Sequence, residues 1–121
     1  MDRTLFLAGA VAGCIGVAFG AFGAHGLRGR LSLDMLAVFE TGVRYQMYHA
    51  LAILVTAVGA GVVQDRLLRV GGWLFVLGIV LFSGSLYALA LTGATRLGMI
   101  TPLGGVAFLA GWIVLIVAAL R

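Results

Sequence analysis

Between Arg3 and His25 runs a stretch of about 20 uncharged, mostly apolar residues, Leu5 to Ala24, and it limits what the chain can become. At about 1.5 Å per residue, such a run crosses a hydrocarbon core of roughly 30 Å as an α-helix. Its glycines, Gly9, Gly13, Gly16, Gly20 and Gly23, recur at intervals of four, three, four and three, which gathers them into one narrow stripe. In lipid, apolar side chains gain little by leaving acyl chains for one another, so helices associate through close backbone approach, which glycine permits. The stripe predicts a seat for other helices, with this first helix central in a bundle.

Composition agrees with a membrane protein: 63% of the 121 residues are hydrophobic and 10% charged, against about 25% charged in soluble domains. The apolar runs are long and do not alternate, so the predicted fold is a single all-α integral membrane domain over 1–121. The net charge of +4 comes from arginines at the ends of the runs, with no lysine. No basic face or aromatic-basic cluster stands outside the membrane, which argues against nucleic acid and leaves membrane lipids as partners. The single cysteine, Cys14, lies mid-span, so no intrachain disulfide is possible, and it is expected to be a buried, inert thiol. The first run exceeds a signal-peptide core of roughly 7 to 15 residues, and MDRT sets an acid against its base, so the span is expected to be retained.

Four spans are predicted: 5–24, 45–63, 70–91 and 102–120. A polar segment, 25–44, separates the first two. In it Ser32 can cap a short interfacial helix with Asp34 in its first turn and Met35, Val38, Phe39 and Val43 on one side, while Glu40 and Arg44 form an i, i+4 pair. Gln64 to Arg69 reads as a hairpin turn. On the third span Gly71, Gly78 and Ser85 stand seven apart, a second small-residue stripe that could face the first helix. Thr101 and Pro102 open the last span as N-cap and first helical residue. An even number of spans puts both termini on one side.

Polarity collects at the opposite side. His25 ends the first helix there, Tyr45, Gln46, Tyr48 and His49 open the second, Ser83, Ser85 and Tyr87 end the third and Thr101 opens the fourth. With Arg28, Arg30, Arg44 and Arg96 nearby and two helix N-termini pointing the same way, this layer is expected to favour an anionic or hydrogen-bond-accepting group. The plainer reading is interfacial anchoring and packing, and it is preferred. His49 is expected to touch the first or third helix and to bond Ser85, Tyr87 or the backbone near Gly23 to His25. Joint metal or haem ligation by His25 and His49 lacks a third ligand at diagnostic spacing, and a copper set with Met35, Met47 and Cys14 is weaker still, so no cofactor is expected.

Asp2, Asp34, Glu40 and Asp65 all lie outside the spans, which disfavours proton-coupled cation export. No hydrolase or protease motif is present, so an enzyme is not expected. The ranking that follows is a structural or accessory membrane protein, with a second copy or another membrane protein as candidate partner, then a small-solute or lipid transporter or channel, then a metal or haem protein. Orientation is tied, with Arg3, Arg66, Arg69 and Arg121 against Arg28, Arg30, Arg44 and Arg96. The free amino terminus and the compact arginine pair in the short turn favour cytoplasmic termini, with dual topology as the alternative.

The blocks GAFGAHGL (20–27), ETGVRYQMYHALAIL (40–54), LFSGSLYAL (81–89) and TPLGGVAFLAGW (101–112) together resemble one family over nearly the whole chain. It is the small four-span YgdD/YwdK family of bacterial membrane proteins, which also includes vertebrate transmembrane protein 256. The resemblance implies four helices and a bacterial inner-membrane location. It supplies no substrate, cofactor or catalytic residue.

Overall fold

The computed structural model describes residues 1–121 and is helical throughout. We number four long helices: α1 (Arg3–His25), α2 (Leu33–Val63), α3 (Arg66–Thr92) and α4 (Thr101–Leu120), each long and apolar enough to cross a membrane. Asp2 and Asp65 cap α1 and α3 by accepting from Leu5 N and Leu67 N, and Ser32 caps α2 by accepting from Met35 N. Gln64 (φ 51°) and Gly93 (φ 73°) end α2 and α3 in the left-handed conformation that stops a helix. Both termini lie at one end, where Asp2 pairs with Arg69 (3.4 Å) and Asp65 with Arg121 (3.6 Å).

The helices pack in chain order, so α2 and α3, not α1, hold the middle of the bundle. α1 lies along α2 and reaches α3 near Leu5. Its glycine stripe does seat a neighbour: a Cβ at Gly9 would meet Ile53 and Leu54, at Gly16 Met47, at Gly20 Val43, and at Gly23 Phe39. One stripe seats one helix, however, and beyond it α1 presents Leu7, Val11, Ile15 and Phe22 to lipid, and with them Cys14, which is exposed and not buried as expected because it lies off the glycine stripe. Gly13, at the stripe's margin, has open space beside it. α2 instead buries small residues on more than one face, among them Gly42, Ala50, Ala52, Ala57 and Ala60, so it can take neighbours on both sides.

The second stripe faces α4, not α1. A Cβ at Gly71 would meet Leu115, one at Gly78 would meet Phe108, and Ser85 bonds Thr101. α4 answers with glycines of its own. A Cβ at Gly104 would collide with the backbone nitrogen of Phe82, and one at Gly111 would meet Phe75. Closest approach is thus at a single wider, π-type turn of α3, Ile79–Ser83, which adds a residue to the helix and offsets its faces by about 100°.

The separate interfacial helix expected in 25–44 is the first third of α2. Phe39, Gly42, Gln46, His49, Ile53, Ala57 and Ala60 are buried along α2 without a break, so nothing interrupts the helix at Tyr45. Glu40 and Arg44 are exposed and form no ion pair, since water competes for both charges. Two apolar clusters complete the core: Leu5, Ala52, Ile53, Ala57, Phe75 and Phe108 in the half nearer the termini, and Leu27, Phe39, Tyr87 and Ala90 at the far end.

Candidate functional site

The polar residues singled out above form three hydrogen-bonded sets and not one layer at a membrane surface. Because α2 starts at Leu33, Gln46 and His49 stand about 20 and 24 Å along it, well inside the bundle, at 3% and 4% exposure.

The first set ties three helices together. Gln46 Nε2 donates to the carbonyl of Ala12 on α1 (2.8 Å), and Gln46 Oε1 accepts from Tyr87 Oη on α3 (2.6 Å). Gly16, one turn on, leaves the α1 backbone within reach of an amide on α2, since a Cβ there would meet Met47 and Gln46. Close by, Ser83 Oγ donates to the carbonyl of Gly42 (2.6 Å), and the Tyr87 ring lies where a side chain at residue 42 would be. Tyr87 also packs edge-on against Phe19, with centroids 4.9 Å apart.

The second set joins α3 to α4. Ser85 Oγ donates to the carbonyl of Phe82 (2.9 Å), which uses its one hydrogen, so in the 2.6 Å contact with Thr101 it is Thr101 that donates. Thr101 therefore does not cap α4; the preceding 3₁₀ turn, Thr95–Met99, leads straight into the helix, and Ile100 holds the cap position.

The third set centres on His49. Its Nδ1 lies 2.7 Å from the carbonyl of Tyr45, and Trp112 Nε1 donates to its Nε2 (3.1 Å). An indole can only donate and a carbonyl can only accept, so the ring carries a single proton, on Nδ1. The imidazole stacks on Phe108 at 3.6 Å and touches Phe75 at 5.3 Å. Contact with α3 is as expected, but the hydrogen-bond partner is Trp112 on α4, not Ser85, Tyr87 or the end of α1. Trp112 was missed because α4 reads as an unbroken apolar run, in which an indole N–H is the one donor available at this depth. A groove of about 430 Å³ opens beside this cluster toward lipid, walled by Tyr45, Phe82, Val106 and Leu109.

The remaining expected members stand apart. His25, Arg44, Tyr48 and Arg96 are exposed, and Tyr48 rests edge-on against Tyr45 at 5.9 Å. His25 lies beside the first turns of α2, more than two turns from His49, and no three His, Cys, Asp or Glu side chains converge. Every buried polar side-chain atom has a hydrogen-bond partner. Such an arrangement can hold helices in register, and it leaves no unmatched buried polar group to act on a bound molecule.

A family model described as "Protein of unknown function (DUF423)" matches residues 19–105. The chain is 48% identical to the UPF0382 membrane protein YwdK of Bacillus subtilis over 98% of both chains. It is 45% identical to a UPF0382 membrane protein of Staphylococcus haemolyticus and 46% identical to one of Staphylococcus aureus, each match covering 98% of this chain and 97% of the relative. No solved structure matches it. With four spanning helices and relatives of this kind along its whole length, the chain is a multi-pass membrane protein and belongs to the DUF423 (UPF0382) family.

Proposed function

We propose that this chain is a non-enzymatic structural or accessory protein of the bacterial inner membrane, with both termini in the cytoplasm. The observation that carries the reading is that each buried polar side chain is matched within the bundle, by another side chain or by backbone. The half nearer the termini supports it: that core is Leu5, Ile53, Ala57 and Phe75, and the Thr56 hydroxyl turns back onto the carbonyl of Ile53. A solute crossing the bundle would find nothing polar there to replace its water. Anionic headgroups are met at the far end by the exposed Arg28, Arg30, Arg44 and Arg96. A partner, a second copy or another membrane protein, would be reached across the lipid-facing side of α1.

The deciding experiment is osmotic. Proteoliposomes of the purified chain should swell in glycerol, urea and amino-acid gradients at the rate of protein-free vesicles. Saturable uptake of any of these solutes would overturn the reading in favour of a transporter. Disulfide trapping through Cys14, exposed on α1, tests for a second copy. External labelling of cysteines at positions 32 and 64 in a Cys14→Ala background tests the orientation: only position 32 should react.

A further inference from the structure

At the end of the bundle away from the termini, the last turn of α1 and the first turns of α2 enclose a groove of about 490 Å³. Its lining includes apolar Leu31, Leu36 and Ala37 and two opposite, exposed charges, Arg28 and Glu40. Neither is paired, because both ion pairs in the molecule lie at the other end. The groove also contains Gly23, Ala24 and His25, whose carbonyls are the last of α1. The turn that closes α1 uses the carbonyl of Phe22 for both Gly26 N and Leu27 N, and those three carbonyls accept no hydrogen bond within the protein. Unpaired carbonyls at a helix C-terminus carry partial negative charge and favour a cation with hydrogens to donate.

We infer that this groove binds the headgroup of a membrane phospholipid bearing a primary ammonium, of the phosphatidylethanolamine class. An ammonium has three donors, and the groove offers a carboxylate and several free carbonyls to receive them. Arg28 lines the same groove and can take the phosphate, and Leu31, Leu36 and Ala37 offer an apolar surface to the upper acyl chain. The apolar run of α1 ends here, so the groove opens at headgroup depth. A choline headgroup carries no N–H and cannot use the carbonyls; a glycerol headgroup has no charge for Glu40. This inference goes beyond the structural role proposed above and holds whether or not the bundle has a protein partner.

The test uses the full chain, purified in detergent, offered equal amounts of phosphatidylethanolamine, phosphatidylcholine and phosphatidylglycerol of matched acyl chains, with retained lipid counted by native mass spectrometry. Phosphatidylethanolamine should be retained roughly tenfold over phosphatidylcholine, the factor one charge-assisted hydrogen bond supplies. Glu40→Gln should reduce that preference to about twofold and leave phosphatidylglycerol retention unchanged. Arg28→Gln should lower retention of all three. Both side chains are exposed, so the variants should fold, which circular dichroism melting verifies. Equal retention of the ethanolamine and choline lipids, or a preference unmoved by Glu40→Gln, would each overturn the inference.

Discussion

The α1/α2 seam and the α3/α4 seam are both built on glycine, yet they are different joints. Along α1/α2 the seats between the two helices are glycines of α1, filled by side chains of α2 that range from the flexible Met47 to the Phe39 ring; on α2 only Gly61 takes part, against the Met1 backbone just before α1. Along α3/α4 glycines come from both helices, and what fills them is mostly stiff: the rings of Phe75 and Phe108 and, at Gly104, the backbone of Phe82. Where a seat is filled by a flexible side chain, as at Gly16, the joint can absorb a small change, whereas a reciprocal joint closed by rings and backbone must separate. In lipid, where packing carries much of the helix association, that difference should appear directly in stability.

The comparison can be broken most severely at Gly104. Gly104→Ala sets a Cβ against the Phe82 backbone and should cost about 3 kcal/mol, measured by unfolding in mixed detergent micelles with helicity as the signal. An unchanged midpoint would mean that the reciprocal joint is not rigid. Next comes Gln46→Leu, which removes the one side-chain hydrogen bond to α1 within the span and takes the acceptor from the Tyr87 hydroxyl. About 2 kcal/mol is expected, together with faster proteolysis in the loop after α1. Should α3 and α4 loosen first, α1 would not be the detachable element.

His49→Leu leaves the Trp112 N–H without its acceptor and should cost about 1 kcal/mol, with His49→Gln milder because an amide still accepts. In a Trp73→Phe background the Trp112 emission should shift in the leucine variant and stay near the parent's in the glutamine one. The smallest effects sharpen the contrast from the other side. Gly16→Ala meets the end of Met47, which can swing away, and should cost less than about 1 kcal/mol; Gly13→Ala meets nothing and should lie within about 0.5 kcal/mol of the parent. A penalty at Gly13 matching that at Gly104 would erase the distinction between the two seams.

Span number, helical class and the use of glycine at the seams were all legible from residue order, because lipid admits helices as the answer to a long uncharged run and the spacing of small residues is local information. Ser32 as a cap was legible for the same reason. Charge misled at Glu40 and Arg44: they lie on the exposed face of α2, while Phe39, Gly42 and Gln46 continue the buried face past them, so the helix did not stop where its polarity suggested. Which stripe meets which helix, the middle places of α2 and α3, and the pairing of His49 with Trp112 depend on how helices distant in sequence are rotated and stacked. The residue order of any single helix contains no record of those rotations, and the wider turn at Ile79–Ser83 offsets the faces of α3 by an amount that a helical wheel drawn at constant pitch cannot show.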